Sequence, residues 1–485
     1  MKDLKKILII IQRSNGDVFL SSSLIKALYE HYGTPDIDLL VNDDTKSVAK
    51  LIPYISNIYT FSYEKKKNKR WSQEKSILLQ IFKKYDLSIN LTSSDRSVIY
   101  ALMSGKKSIS AIEADSSKSW WKRLFLNHYY VFDEKKHILE NNFHSLDFLN
   151  ITYDKVHYEI KFPKEEILIK KKLANLNITK FIIFHPSAQY KYKIYPKLLR
   201  NKLLFDLNKL GIPILITGSN NQVDLDIKKN LPTLENVYDF IGETSLKEFI
   251  ALSKLSLCYV GMDTLNIHIA AAQNKHIFGI FGPTNLRMWS PWSNLIRCSA
   301  FEDKPMQNYG NFTIFQANMP CVACGKAGCD DNHGNSDCLD NINPEIISKE
   351  IKNWINNTND NSIFSETEIE KIGRQVVLYI VYGDDQTYYD GAIYSYLTFM
   401  NWIEVNNKIE FVVLTENPDK FTGYPFQVLN ITKEQKNKWS LSGMYDFRIK
   451  NRGMAYVINK LSLKGLDKII FLDTDTYFHK SPLNL

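Results

Sequence analysis

Short apolar runs alternate with amphipathic stretches along the N-terminal two thirds of the chain. The run at residues 7–11 is followed by a turn and by residues 18–32, where apolar side chains recur at helical spacing. The same order predicts further strands at residues 37–41, 86–91, 181–184, 212–217, 236–241 and 276–280. Strands that alternate with helices pair into parallel, doubly wound sheets. The pattern therefore predicts an α/β protein whose first two domains, residues 1–165 and 166–355, face one another across a cleft.

One strand–helix–strand unit, YVGMDTLNIHIAAAQNKHIFGIFGPT at residues 259–284, organises the second domain. An apolar strand runs into Gly261, and Asp263 and Thr264 then precede a predicted helix at residues 265–272. The first N–H groups of a helix have no internal partner, and the helix dipole favours negative charge there. We therefore expect this helix start to face the diphosphate of a nucleotide-sugar. The alternative is that Asp263 only caps the helix and the alanines only pack closely.

A polar stretch at residues 356–373 separates these two domains from the rest of the chain. We interpret it as a linker. In the third region, residues 374–485, the pattern predicts strands at 376–381, 409–415 and 468–472 and a helix at 388–402. The last of these strands delivers Asp473 and Asp475 directly after a buried run.

The composition is that of an ordinary globular protein. Of 485 residues, 44% are hydrophobic and 24% are charged, and the net charge is +8. This charge is mild for the length, so we expect no nucleic-acid partner. The basic run at residues 64–70 is interpreted as a solvated loop, with phosphate binding as the alternative. The apolar run at 7–11 is too short for a signal peptide, and no stretch approaches a membrane-spanning length, so we expect a cytoplasmic protein.

The segment WWKRLF at residues 120–125 mixes aromatic and basic side chains. It is open to two interpretations, a packed helix edge and a peripheral contact with the inner face of the cytoplasmic membrane. The sequence leaves the oligomeric state open as well.

Four of the six cysteines are gathered in one short segment. They are Cys321, Cys324, Cys329 and Cys338. In a reducing compartment such clustering favours a metal over disulfides, and four thiolates suit tetrahedral zinc or iron. We expect a structural site, because the protein fills all four positions.

Four collinear segments of the first 345 or so residues resemble glycosyltransferase family 9, the heptosyltransferases. They are KILIIIQRSNGDVFLSSSLIKAL, YDLSINLTSSDRSVIYALMSG, FHPSAQYKYKIYP and GMDTLNIHIAAA with GIFGPT. The resemblance implies a GT-B fold with two facing Rossmann-like domains, inversion at the anomeric carbon and chemistry that needs no metal. It implies an inverting enzyme that moves a heptose or related sugar, with ADP-heptose favoured, from a nucleotide-sugar to a lipopolysaccharide, lipooligosaccharide or protein acceptor.

The resemblance also assigns roles to residues. Asp17 matches the catalytic base, and Lys193 matches the lysine that binds the donor diphosphate. Asp263 and Thr264 match the pair that contacts the donor, and His268 and Ser187 fall in the same donor-binding segments. The bland alternatives are a helix-capping Asp17, one exposed lysine among several at 193, and a core histidine at 268. Leu265 departs from the family pattern, which usually has glycine there.

The cysteine segment resembles loops in a family 9 branch that modifies autotransporter proteins, where the metal is iron. The resemblance is in the clustering of the cysteines rather than in their spacing. Two other functions stay open at this point. One is a nucleotide-sugar epimerase with the same fold, and the other is a catalytically silent, metal-stapled scaffold.

The third region resembles the N-terminal half of a GT-A glycosyltransferase domain. YIVYGDDQTYYDGAIYSYLTFMNW and KIIFLDTDTYFHKSP carry this resemblance. Asp473 and Asp475 match the DxD motif, whose paired carboxylates hold magnesium or manganese against a donor diphosphate.

Overall fold

A computed structural model gives the fold of the chain. It describes residues 4–151, 160, 162–300, 302–360, 375–400, 409–441, 447–461 and 468–477. The chain divides into two compact units, Met1–Asn353 and Trp354–Leu485.

The first half of the first unit is a six-stranded parallel sheet in the order β3-β2-β1-β4-β5-β6. Its strands are β1 Lys6–Ile11, β2 Asp36–Asn42, β3 Ile55–Phe61, β4 Tyr85–Asn90, β5 Gly105–Ile112 and β6 His128–Val131. Its helices are α1 Asn15–Leu20, α2 Ser22–His31, α3 Lys46–Ala49, α4 Tyr63–Ile81, α5 Asp95–Ser104, α6 Ser116–Phe125 and α7 Ile138–Asp147. The strand order reverses at β1, and ligands of doubly wound sheets bind at such a switch point.

The second half has a seven-stranded sheet in the order β12-β13-β11-β10-β7-β8-β9, parallel except for the β12–β13 pair. Its strands are β7 Ile182–His185, β8 Ile214–Gly218, β9 Val237–Ile241, β10 Cys258–Met262, β11 His276–Ile280, β12 Met306–Tyr309 and β13 Phe312–Phe315. Its helices are α8 Pro163–Asn175, α9 Lys197–Asn208, α10 Gln222–Lys229, α11 Leu246–Leu255, α12 Leu265–Ala272, α13 Leu286–Trp289, α14 Asp337–Asp340 and α15 Pro344–Asp360. Here the order reverses between β7 and β10.

Buried apolar side chains hold each sheet between its helices. In β1 every residue from Ile7 to Ile11 is fully buried, as expected of a central parallel strand covered on both faces. Gly261 in β10 is required by packing, because a Cβ there would lie 2.6 Å from the hydroxyl oxygen of Tyr259.

The second unit is a four-stranded parallel sheet in the order β16-β15-β14-β17. Its strands are β14 Gln375–Val381, β15 Ile409–Thr415, β16 Gln427–Asn430 and β17 Lys468–Leu472. Its helices are α16 Gln386–Met400, α17 Lys433–Ser440 and α18 Phe447–Lys460. Buried side chains from both faces of the sheet form two small cores.

Three sequence expectations were wrong about local structure. The helix expected at residues 18–32 is two helices, α1 and α2, and it starts three residues earlier. The basic run at residues 64–70 lies within helix α4 rather than in a loop. Of the linker expected at 356–373, residues 356–360 continue helix α15, and the remainder lies outside the described residues.

No helix in the described part of the chain is long and apolar enough to cross a membrane. On α6, Trp120 and Phe125 are exposed, whereas the Lys122 side chain between them is buried and pairs with Glu113 at 2.6 Å.

Candidate active site

A cavity of about 1070 Å³ opens between the two halves of the first unit. Its walls come from the segments that follow the carboxyl ends of β1, β7, β8 and β10, which are the ligand-binding ends of parallel sheets. The sequence-predicted residues Asp17, Ser187, Lys193, Asp263, Thr264 and His268 all line it. The fold therefore brings together six side chains that are up to 251 positions apart (Asp17 to His268).

Asp17 is held by the first turn of α1. Ser14 is the N-cap of this helix, and its hydroxyl and N–H both donate to Oδ2 of Asp17, at 2.6 and 3.2 Å. Asp17 is thus the third residue of the helix and completes a capping box, so the alternative of Asp17 as the N-cap was wrong. The interaction fixes one carboxylate oxygen and leaves the other for a ligand.

The free oxygen of Asp17 sits in an unusual environment. The residue is 3% exposed, and Oδ1 is buried without a hydrogen-bond partner among the described residues. The guanidinium of Arg13 approaches Oδ1 at 3.9 Å. Burial raises the pKa of Asp17, although Arg13, the Ser14 hydrogen bonds and the charge of Lys193 oppose the shift. A carboxylate with a raised pKa and a spare oxygen can accept a proton.

Lys193 and Asp263 form an ion pair on the opposite wall. Lys193 lies at the end of the short turn Lys191–Lys193, and its Nζ donates to Oδ2 of Asp263 at 2.6 Å. The hydroxyl of Thr284 donates to the same oxygen at 2.7 Å. Burial acts to raise the pKa of Asp263, but Lys193 and Thr284 outweigh it and the pKa is lowered. Burial acts to lower the pKa of Lys193, but the charge of Asp263 outweighs it, so the pKa of Lys193 is raised.

Helix α12 begins at the cavity wall. Thr264 is its N-cap and its hydroxyl accepts from the N–H of Asn266 at 3.3 Å, so Asp263 is not the cap. The N–H of Ile267 donates to the Thr264 carbonyl oxygen at 3.2 Å, so what the start of this helix presents to the cavity is mainly the positive end of its dipole. Leu265 occupies the first helical position, lines the cavity and packs against the core.

His268 lies one turn into α12, at the contact between the two halves. It is 4% exposed, and its Nδ1 is buried with no hydrogen-bond partner in the described residues. A Cβ on Gly16 would lie 3.3 Å from Cδ2 of this ring, so α1 reaches the imidazole here. Burial lowers the pKa of His268 to about 4, which makes the ring neutral at physiological pH. The histidine is both buried and on the cavity wall.

A second bridge between the halves lies beside the cavity. His137, the N-cap of α7, has Nε2 3.0 Å from the carbonyl oxygen of Ser290 in the other half. Burial lowers the pKa of His137 to about 3, so this ring is also neutral.

Ser187 and His185 follow β7. Ser187 is buried at the cavity wall. Nδ1 of His185 lies 3.0 Å from the Thr217 hydroxyl, and Asn266 Nδ2 lies 3.0 Å from its Nε2. This histidine ties the end of β7 to the first turn of α12.

The cysteine segment packs against the same cavity. Gly325 and Lys326, directly after Cys324, line it, and the N–H of Gly325 donates to the carbonyl oxygen of Pro283 at 2.8 Å. The His333 ring stacks on Tyr190, with ring centroids 5.6 Å apart, just before the Lys193 turn.

The four thiols lie in one short segment, three in a loop and Cys338 in helix α14, without forming a complete ligand set. Cys321, Cys324 and Cys329 are exposed and Cys338 is buried, and all four are free thiols. Burial, with the nearby charges of the other three cysteines, raises the pKa of Cys338 to about 11. Within the described residues no three Cys, His, Asp or Glu side chains stand close enough together to hold a metal ion.

In the second unit, Asp473 follows β17 as expected. It pairs with Lys450, and the N–H of Thr474 donates to its Oδ1 at 3.0 Å. Burial acts to raise the pKa of Asp473, but Lys450 outweighs it and the pKa is lowered. Asp475 is exposed. The two carboxylates belong to no metal-competent group in the part of the chain that the structure describes.

Several cavity residues escaped the sequence reasoning. Arg13, Asn266, Thr284 and Lys326 are among them. Ser14 was missed as well, and it is the one that the sequence could have revealed, because the spacing of Ser14 and Asp17 is that of a capping box.

Two facing Rossmann-like domains with a cavity between them are the architecture of the GT-B fold. Residues 78–316 match the model of glycosyltransferase family 9 (heptosyltransferase). Residues 78–316 of the first unit are therefore similar to glycosyltransferase family 9, and the protein is a glycosyltransferase.

Known relatives agree with this family. The chain is 23% identical over 291 residues to lipopolysaccharide heptosyltransferase 3 of Escherichia coli, covering 58% of this chain and 85% of the relative. It is 21% identical over 301 residues to the lipopolysaccharide core heptosyltransferase OpsX of Haemophilus influenzae, covering 61% and 84%. The solved structure of Escherichia coli ADP-heptose heptosyltransferase II has a TM-score of 0.53 at 17% identity, covering 73% of this chain and 99% of that one.

Proposed function

We propose that the first unit transfers a heptose from ADP-heptose to an acceptor hydroxyl with inversion at the anomeric carbon. The observation that carries this proposal is the free, buried Oδ1 of Asp17 on one wall of a cavity whose other wall holds Lys193. Transfer from a nucleotide-sugar needs a base on the acceptor side and positive charge on the diphosphate side.

Each group then has one role. Asp17 accepts the proton of the acceptor hydroxyl while that oxygen forms its bond to the anomeric carbon. The bond from this carbon to the diphosphate oxygen breaks, and the electron pair leaves with the diphosphate. Lys193 and the positive end of the α12 dipole stabilise the charge that develops on it. Asp263 holds the lysine in place, and Thr284 in turn donates to Asp263.

The names of the relatives support the sugar and the nucleotide. The curated relatives are named lipopolysaccharide heptosyltransferases, and a solved Escherichia coli heptosyltransferase of the same fold contains ADP. We therefore propose a lipopolysaccharide or lipooligosaccharide core as acceptor, with a protein acceptor as the alternative. Such an acceptor would bring the enzyme to the inner face of the cytoplasmic membrane.

A donor panel tests this proposal. ADP-, GDP- and UDP-sugars are each supplied with a core-oligosaccharide acceptor, and nucleotide release is measured for the wild type, Asp17→Ala and Lys193→Ala. We expect release from ADP-heptose alone, about 10²–10⁴-fold slower in Asp17→Ala. The exposed Asp44→Ala in the same half serves as the matched control.

Two results would contradict the proposal. Unchanged release in both variants would remove the assignment of the activity to this cavity, and no release from any donor by the wild type would favour the silent scaffold. An isomerised nucleotide-sugar without transfer would favour the epimerase.

We also propose that the cysteine loop closes on a structural zinc or iron ion through Cys321, Cys324, Cys329 and Cys338. The gathering of four thiols in one short segment supports this. Elemental analysis of the purified protein tests it, and less than about half a metal ion per chain would contradict it, since such sites bind tightly. Magnesium or manganese at Asp473 and Asp475 is tested separately, by titrating Mn²⁺ into the wild type and Asp475→Asn.

A further inference from the structure

A second cavity of about 460 Å³ lies behind the Lys193 turn. It is lined by the start of α9, one face of α10 and residues of the segment 335–340. Val223 lines both this cavity and the active-site cavity, so α10 separates the two. The second cavity contains none of the residues assigned to donor or acceptor.

Arg200 is the side chain that marks this cavity as a site. It is only 3% exposed. Its Nε and Nη2 donate to Oδ1 of Asn201 at 3.2 Å each, and Nη2 also reaches the carbonyl oxygen of Asn230 at 3.3 Å. Within the described residues, its Nη1 has no hydrogen-bond partner and the guanidinium has no carboxylate within ion-pair distance. A buried cation without an anionic partner is unfavourable. An anionic ligand in the cavity would therefore supply the counter-charge that Arg200 lacks.

Other donors surround the same space. Lys191 and Lys197 line the cavity, and Lys197 Nζ is fixed by a hydrogen bond to Oδ1 of Asn230 at 2.6 Å. Ser336 also lines it, and its hydroxyl is buried with no partner in the described residues. Three cations and a hydroxyl match the oxygens of a phosphate group.

The cavity also has two acceptors. The carboxylates of Asp226 and Asp340 line it, and neither pairs with a cation among the described residues. Oδ1 of Asp226 accepts from Gln222 Nε2 at 2.8 Å. Carboxylates bind hydroxyl groups well and repel further phosphate. The volume also exceeds what one phosphate ion needs and lies in the range of small-molecule pockets.

We propose that this cavity binds a small phosphorylated polyol, such as a sugar monophosphate. Its phosphate lies against Arg200, Lys197 and Ser336, and its hydroxyl groups donate to Asp226 and Asp340. Because Lys191 and Ile194 line the cavity and flank Lys193, the bound molecule also touches both sides of the turn that carries this lysine.

The test is calorimetric titration of the full-length protein with a hexose 6-phosphate, inorganic phosphate and the free hexose. We expect the hexose 6-phosphate to bind most tightly, inorganic phosphate more weakly and the free hexose not measurably. Affinity for the hexose 6-phosphate should fall at least about tenfold in Arg200→Gln and severalfold in Lys197→Gln, which removes an exposed charge and leaves the core intact. Lys202→Gln, on the same helix but outside the cavity, should bind as the wild type does.

Lys193→Ala separates this site from the active site. Binding that survives Lys193→Ala and weakens in Arg200→Gln and Lys197→Gln supports the second cavity. Binding lost in Lys193→Ala and retained in Arg200→Gln and Lys197→Gln would place the phosphate in the active site and overturn the proposal. No binding of either phosphate would overturn it as well, and equal affinity for both phosphates would overturn the polyol part.

Discussion

At the scale of single residues, the buried carboxylate of Asp17 destabilises the folded protein. Its pKa is raised in the folded protein, so folding favours the protonated form and the ionised form at neutral pH is destabilising. We expect Asp17→Asn to increase the free energy of unfolding at pH 7.5 by about 1 kcal/mol, or about 2–4 °C in Tm, because it removes a buried charge.

The size of this effect depends on pH. The destabilisation by Asp17 disappears as the pH falls through the raised pKa toward the usual value of 3.8, so the difference between wild type and Asp17→Asn should be smaller at pH 4 than at pH 7.5. Thermal unfolding at both pH values measures it. Asp44→Asn, at an exposed carboxylate, should show no difference at either pH. A variant less stable than the wild type at pH 7.5 would show that the Ser14 hydrogen bonds outweigh desolvation.

The ion pair of Lys193 and Asp263, by contrast, increases the free energy of unfolding at neutral pH. The pKa of Asp263 is lowered, so the pair stabilises the protein above pH 3.8 and the gain is lost as the pH falls. Lys193→Met should reduce the free energy of unfolding at pH 7 by about 2 kcal/mol, less than for a fully buried pair because Lys193 is one quarter exposed. A double-mutant cycle with Asp263→Asn isolates the pair. Lys209→Met, in an exposed pair, should change the stability by less than about 0.5 kcal/mol.

At the scale of elements, the start of α12 forms the side of the cavity where we propose that the donor binds. Leu265 lines the cavity at the first helical position, where a side chain limits how closely a diphosphate approaches the backbone. We expect Leu265→Gly to change KM among nucleotide donors severalfold while kcat for the preferred donor changes little. Steady-state kinetics with ADP- and GDP-sugars measures this, with Leu265→Ala as an intermediate. Equal changes for every donor would mean that Leu265 only packs.

Most elements of the fold were predictable, because central parallel strands are continuous apolar runs with polar residues at their ends. Helix α12 and strand β11 lie at the residues the pattern predicts, and β15 and β17 do as well. The split between α1 and α2 was not predictable from periodicity. It occurs where the hydroxyls of Ser21 and Ser22 donate to the carbonyl oxygens of Val18 and Phe19, at 2.7 and 2.6 Å.

The site was less predictable than the fold. The resemblance supplied Asp17, Lys193 and Asp263, yet their physical character depends on neighbours distant in sequence. Thr284 is 21 residues from the Asp263 oxygen it holds. Desolvation of Asp17 arises where the two halves meet, and no local pattern encodes it.

At the scale of the whole molecule, buried neutral histidines make stability depend on pH. Burial lowers the pKa values of His137 to about 3 and of His185, His268 and His276 to about 4. Their unfolded pKa is about 6.5. Between the folded and the unfolded pKa values, these rings therefore bind protons in the unfolded chain but not in the folded protein. The free energy of unfolding should therefore fall by about 2 kcal/mol per histidine between pH 7 and pH 5.

Urea denaturation at several pH values checks this dependence. His276→Gln should flatten the profile by one histidine's share, whereas His144→Gln, at a more exposed ring, should leave it unchanged. A profile that is flat between pH 7 and pH 5 would show that these rings become charged without unfolding the protein.

The cysteine loop offers a way to watch the active-site cavity. Cys324 is exposed, and the next two residues form part of the cavity wall. A molecule that settles against Gly325 and Lys326 restrains the peptide that carries this sulfur. In metal-free protein, the rate at which a maleimide labels Cys324 should therefore change when a molecule occupies the cavity. Measuring this rate detects binding before any donor or acceptor has been identified.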